Sequence, residues 1–178
     1  MSGFGIGAPA VAAKIEELVA FGVKKIIAVG TGGGLNPNLK VGDILLCEEA
    51  VRDEGASYHY LDSNLPAHAD PGLVVQLENI GHQQGLNLYR GSSWTIDCVY
   101  RETREEVDYF VHQGVSAVDM ESSAVFAVAQ YLGVSSAVIL VISDLLRADK
   151  DWEPYYHHSP VKKAMVRACE LAVNALMD

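Results

Sequence analysis

Two short acidic motifs carry side chains able to do chemistry. Asp119-Met120-Glu121 places two carboxylates two positions apart, after Ala117-Val118 and before an apolar helical stretch. A carboxylate there can accept both hydrogen bonds of a ribose diol, while Met120 lies against the sugar's apolar face. The same residues suit a helix start, with Asp119 as cap and Glu121 in the favourable first turn, and spacing alone leaves the two readings level. Ser143-Asp144 follows the apolar run Ala137–Ile142. An acid at the lip of a buried strand is open to partial desolvation, which raises its pKa toward the range a proton donor needs near neutrality. Ser143 is placed to orient it, and the plainer alternative is a cap on the next turn. A third motif is Gly30-Thr31-Gly32-Gly33-Gly34, entered from Ile26–Val29. It predicts a buried strand delivering a ligand-binding turn, whose bare N–H groups cradle an anion or a sugar hydroxyl. No Gly-Lys-Ser/Thr follows, so it is not a Walker loop.

Aromatic and basic residues add to these. Trp94, between Ser92-Ser93 and Thr95, reads as a flat ring in a polar loop, suited to stack a heterocycle or to ordinary packing. Arg52, Asp53 and Glu54 near Tyr58 and His59 make a dense segment that either stabilises its own loop or bridges subunits. Trp152, Tyr155 and Tyr156 suit a gate over a site or an interface patch. His59, His68, His157 and His158 form no metal constellation, and no metal is expected.

The elements that must position these groups follow from periodicity and punctuation. Ala10–Ala20 has Val11, Ile15, Leu18 and Val19 at helical spacing, with Pro9 in the first turn. Strands are expected at Lys24–Val29, Asp43–Cys47, within Leu86–Tyr100, and at Val115–Val118 and Ser136–Ile142. Helices are expected at Gly72–Gln84, Glu102–Gln113, Ser122–Tyr131 and Pro160–Met177. The intervening Arg52–Pro71 is long for a plain connection and suggests a functional or subunit-contact loop. Strands alternating with helices predict an α/β fold, a single domain over residues 1–178 with a central mixed, largely parallel sheet flanked by helices. Ligands in such sheets sit at the carboxyl ends of strands, where Gly30–Gly34 and Ser143-Asp144 fall.

Composition narrows the function class. The chain has 178 residues with 13 basic and 23 acidic side chains, a formal charge of −10 at pH 7. That balance argues against nucleic acid or an anionic membrane as partner. Cys47, Cys98 and Cys169 are odd in number and lack metal-ligand spacing, as expected of buried thiols in a reducing cytoplasm. The sequence shows neither a membrane-length apolar run nor a basic leader, which gives the expectation of a cytoplasmic protein.

In order along the chain, Gly5-Ile6-Gly7-Ala8-Pro9, Val29-Gly30-Thr31-Gly32-Gly33, Gly42-Asp43-Ile44, Arg52-Asp53-Glu54-Gly55-Ala56-Ser57, Val118-Asp119-Met120-Glu121-Ser122 and Val141-Ile142-Ser143-Asp144 together resemble the nucleoside phosphorylase family. That family includes uridine phosphorylase, the bacterial hexameric purine nucleoside phosphorylases and related nucleosidases. The resemblance implies inverting attack of inorganic phosphate, the co-substrate, on C1′ of a nucleoside, giving ribose 1-phosphate and free base without a cofactor. It implies phosphate binding by Gly30 and Thr31, ribose binding by Met120 and Glu121, base contact by Trp94, Ser143 and Asp144, and catalysis by Asp144 at N7 of a departing purine. Both ends of the breaking bond develop charge, so both need electrostatic help.

Base preference is divided. Arg52–Ser57 and His59 look like the uridine-cleaving branch. Ser143-Asp144 looks like the purine branch, and the Gln-x-Arg pair that reads uracil is absent after Thr95-Ile96-Asp97, so purine is preferred. Ala28 stands where phosphorylases commonly carry arginine, and alanine provides no bidentate phosphate clamp. The Gly5–Pro9 motif normally lies far inside the family sequence, so the domain is expected to be incomplete at its amino terminus or completed by another chain. The resemblance also implies a homo-oligomer, a dimer or hexamer. Uridine phosphorolysis, nucleoside hydrolysis and a catalytically silent assembly or regulatory subunit are the alternative functions.

Overall fold

Gly7, held at φ 93°, turns the chain into the first helix, α1 (Ala8–Ala20), with Pro9 in the first turn where its missing N–H costs nothing. The computed structural model describes residue 3, residues 5–149 and residues 152–177. Met1 and Asp178, the expected domain limits, lie outside the described residues. The elements that follow are β1 (Lys25–Gly34), β2 (Ile44–Asp53), β3 (Ala67–His68), α2 (Pro71–Gln83), β4 (Leu88–Ile96), α3 (Arg104–His112), β5 (Ala117–Asp119), α4 (Ser122–Leu132), β6 (Ser135–Leu145), β7 (Glu153–Pro154) and α5 (Ser159–Met177). Short three-ten turns cover Ser57–His59 and Val99–Arg101.

Helix starts follow side-chain chemistry. Asp70 accepts the Leu73 N–H at 2.9 Å to cap α2, and that hydrogen bond leads the causes that lower its pKa. Thr103 and Glu106 form a reciprocal capping box on α3. Gly133, in the left-handed region, stops α4.

The strands form one sheet in the order β3-β2-β4-β5-β1-β6-β7, and an additional antiparallel pairing of β2 with β6 joins the sheet back on itself. The segment β2-β4-β5-β1-β6 is therefore a closed mixed ring, with β2–β4, β4–β5 and β1–β6 parallel and β1–β5 antiparallel. This is an α/β fold in a single domain, as the alternation of patterns predicts. The closure is an addition that periodicity cannot see, because it depends on Ile44–Cys47 meeting Val138–Val141 far along the chain. Helix α1 packs on α4 and α2 on α5, and both α4 and α5 contact strands of the ring. The main core gathers Leu45, Leu46, Phe126, Val128, Ile139 and Leu171, all buried. A smaller cluster of Leu35, Trp94, Ile96, Val107, Val115, Val118 and Leu146 packs beneath α3.

Two expected local structures are corrected. Gly30–Gly34 is the second half of β1, and none of its glycines has a positive φ. It is a strand built for close approach: a Cβ on Gly33 would stand 2.3 Å from Leu146 Cδ1, and one on Gly32 would stand 2.9 Å from the Val118 carbonyl oxygen. Trp94 likewise lies within β4, not in a loop. The Arg52–Pro71 segment is also more ordered than a plain loop. Arg52 donates to Ser57 Oγ and to the carbonyls of Leu61, Asp62 and Leu65 at 2.7–2.9 Å, so it stabilises its own segment.

Candidate active site

A β-bulge creates the setting of Asp144. Along the parallel β1–β6 ladder, Gly32 faces Ile142 but Gly33 faces Asp144, leaving Ser143 as the extra residue. Consecutive side chains on a regular strand point to opposite faces, and a bulge re-aims them. Here the Ser143 hydroxyl reaches its neighbour and donates to Asp144 Oδ1 at 2.7 Å. Oδ2 accepts the Trp152 indole N–H, also at 2.7 Å. Asp144 is only 4% exposed, and its Oδ2 lies 3.1 Å from the position a Cβ would take on Gly33. Glycine at 33 makes room first for Leu146 and Val118, and the carboxylate lies just beyond them.

Two further groups face Asp144. Glu102, just after the Val99–Arg101 turn, has its pKa pushed up to about 7 by burial first and then by the negative charge of Asp144. The Tyr156 phenol is pushed up to about 12, mainly by burial, with Asp144, Glu102 and Tyr100 adding to it. The Trp152 indole thus contacts this carboxylate at the carboxyl end of β6, and Glu102 and Tyr156 lie close enough to feel its charge. The antiparallel pairing of Asp144 with Pro154 and Leu145 with Glu153 brings the Trp152–Tyr156 segment there.

The second acidic motif divides its labour. Asp119 is buried and acts as the cap: Oδ2 accepts the Ser122 N–H at 2.7 Å, the Ser122 hydroxyl at 2.6 Å and the Glu121 N–H at 3.1 Å, while Oδ1 accepts the Thr95 hydroxyl at 2.8 Å. Burial raises its pKa and those donors oppose the rise. Thr95 in turn accepts the Ser123 N–H at 3.0 Å, and the Ser123 hydroxyl donates to buried Glu54 at 2.9 Å. This network ties β4, β5, the start of α4 and the residues after β2 into one rigid support. Glu121 caps nothing with its side chain. Its half-buried carboxylate accepts the Gly7 N–H at 2.5 Å, and burial raises its pKa against that hydrogen bond. The cap reading is thus filled by Asp119, and the Glu121 carboxylate is left for other contacts.

The ladder relates the motifs. Because β5 runs against β1 with Val118 opposite Gly33, the chain leaving Asp119 continues toward the Thr31 end of β1. On the other side of β1, Thr31 pairs with Val141 and Gly33 with Asp144. Gly30, Thr31, Met120–Glu121 and Ser143-Asp144 therefore flank one short stretch of β1. Thr31 is exposed, and Met120 and Glu121 are partly so. Ala28 is a buried core residue.

Trp94 does not join them as a base-stacking ring. It is 0% exposed, packs on Phe110 with ring centroids 4.4 Å apart, and donates its N–H to Asp53 at 2.8 Å. A ring with no open face belongs to the smaller core and has no surface to offer a heterocycle. Glu102 carries only a weak sequence signal, an acid close after the polar end of a strand, and Trp152 and Tyr156 suit a gate or an interface patch equally well until the fold sets them beside Asp144. Among the described residues no His, Cys, Asp and Glu group could hold a metal, and no helix is long and apolar enough to cross a membrane.

Comparison with known proteins agrees with this architecture. The sequence profile of the Phosphorylase superfamily matches residues 1–177. A DeoD-type purine nucleoside phosphorylase of Clostridium novyi (strain NT) is 28% identical over 97% of this chain and 75% of its own length. A guanosine phosphorylase of Halorubrum lacusprofundi is 30% identical, over 97% of this chain and 73% of its own. Among solved structures, a uridine phosphorylase from Vibrio fischeri ES114, complexed with 6-hydroxy-1-naphthoic acid, superposes with a TM-score of 0.81 at 30% identity, covering 97% of this chain and 70% of that one. The fold, the order of its motifs and a profile match across nearly the whole chain lead to one conclusion: this chain belongs to the phosphorylase superfamily.

Proposed function

We propose that the chain cleaves the N-glycosidic bond of a purine nucleoside with inorganic phosphate, giving ribose 1-phosphate and the free base. The observation that carries this reading is Asp144, a nearly buried carboxylate re-aimed by a bulge and oriented by Ser143. A purine leaves with negative charge gathering on its imidazole ring, and an acid held beside N7 stabilises that charge by hydrogen bonding or proton transfer. Glu121 accepts from the 2′ and 3′ hydroxyls, Met120 covers the sugar's apolar face, and Thr31 with the Gly30 backbone contributes to phosphate binding. The relatives named for purine nucleosides and guanosine support the purine assignment.

The test is product formation from inosine, adenosine and uridine with and without phosphate. Phosphate-dependent ribose 1-phosphate from the purine nucleosides is the expected result, and preferential cleavage of uridine would replace the purine assignment. Hydrolysis is the second reading, favoured by Ala28, which supplies no cation for phosphate. Phosphate-independent release of ribose would establish it, and silence on all three substrates would favour a noncatalytic assembly or regulatory role. The protein is further proposed to be a cytoplasmic homo-oligomer, at least a dimer. Light scattering across a concentration series measures it.

A further inference from the structure

Asp144 is enclosed on three sides. Gly33 lies against Oδ2, the Ser143 hydroxyl holds Oδ1, and the Trp152 indole N–H occupies Oδ2 at 2.7 Å. A ring nitrogen approaching Oδ2 in the direction the indole now holds takes the place of the indole. Trp152 is poorly anchored by comparison with its partner. It is 49% exposed, its ring meets Tyr156 edge-on at a centroid distance of 6.2 Å, and it is carried beside the two-residue strand β7.

The chemistry of the two occupants matches. Indole is a six-membered ring fused to a five-membered ring that presents one N–H donor. A purine bearing a proton on N7 presents the same donor from the same kind of fused five-membered ring, whereas a pyrimidine base does not. We propose that Trp152 is an internal stand-in for the purine base: its N–H holds Asp144 Oδ2 until a purine displaces the indole and takes over the hydrogen bond. This rests on the purine reading above and deepens it. The exchange makes and breaks only hydrogen bonds. Trp152 is thereby a specificity-determining residue for the released base, because uracil's N–H donors sit on a lone six-membered ring and do not present the fused five-membered edge that the indole vacates.

Tryptophan emission of the intact chain reads the exchange. Trp94 is fully buried, so acrylamide quenching reports Trp152. Without added base, Asp144→Ala should raise the quenching constant by releasing the indole; unchanged quenching overturns the contact whatever the substrate. Hypoxanthine should raise quenching of the wild-type chain, and uracil should not. Trp152→Phe keeps a ring and removes the donor, so calorimetry should show hypoxanthine binding about tenfold tighter, the scale of one hydrogen bond to a charged acceptor. Equal or weaker binding by Trp152→Phe overturns the stand-in while leaving purine recognition intact. If hypoxanthine binds neither protein although Asp144→Ala still releases Trp152, the purine reading fails and the exchange fails with it.

Discussion

Trp94 and Trp152 each donate an indole N–H to an aspartate, at 2.8 Å to Asp53 and 2.7 Å to Asp144, yet their surroundings are opposite. Trp94 has no exposed surface and lies in a packed apolar cluster with Phe110 against its ring, while Trp152 is 49% exposed and touches one aromatic edge-on. The same hydrogen bond therefore fixes a support in one place and makes an exchangeable contact in the other. What separates them is how much packing must be undone to move the ring. A donor–acceptor pair taken alone does not distinguish scaffold from site.

The strongest way to break this comparison is through the two acceptors. Asp144→Asn should lower purine nucleoside turnover by about 10²–10⁴, the usual scale of a lost proton-transfer contribution. Asp53→Asn, acting on the support, should leave turnover at the wild-type level and lower the melting temperature instead. Steady-state kinetics and thermal melts on both variants give the answer, and matching losses of turnover would dissolve the distinction.

Truncating the rings should separate them on stability. Trp94→Ala should cost about 3–5 kcal/mol in denaturant unfolding, as large aromatic deletions from a core do. Trp152→Ala should cost about 1 kcal/mol, the net worth of a single hydrogen bond. Comparable midpoints for the two variants would show that Trp152 is as firmly seated as Trp94.

Glu102 sharpens the electrostatic side of the contrast. Its pKa is about 7 in the folded chain against an ordinary 4.5, so the folded state binds more protons than the unfolded state between those values. Its contribution to stability is therefore present at low pH and is lost as pH rises from about 4.5 to about 7. Glu102→Gln should remove that part of the slope in melting temperature against pH, and an unchanged slope would show that Glu102 does not hold its proton beside Asp144. The smallest effect is expected at Glu121. Glu121→Ala should reduce cleavage of ribonucleosides more than of 2′-deoxyribonucleosides, and equal losses in kcat/KM would argue against contact with the 2′-hydroxyl.

Local signals made much of this legible. Apolar runs ending in polar residues marked β1 and β6, and the Ser143-Asp144 pair marked an acid at a strand end. The division of work between Asp119 and Glu121 was not legible, because it depends on Thr95 and Gly7 arriving from distant elements. The glycines after Val29 suggest a turn because glycine serves equally for turns and for strands that pack closely; only the neighbours Val118 and Leu146 decide. The polar flanks of Trp94, Ser93 and Thr95, make it resemble a loop residue. Those flanks lie on the opposite face of the strand from the ring, where the buried Ser93 hydroxyl accepts from Cys47 and the Thr95 hydroxyl donates to Asp119. Glu102 and Trp152 became meaningful only when the chain was folded around Asp144.

The closed ring also dictates an order of events during synthesis. Strand β6 is the ring's last to emerge, yet it joins β1 and β2, the first two. Until residue 145 has left the ribosome, both earlier strands present unpaired edges, and closure spans most of the chain. A nascent chain stalled before that point carries two exposed templates for pairing with its neighbours. Ser135–Leu145 is thus the segment whose arrival ends the chain's exposure to aggregation, as well as the one that delivers Asp144.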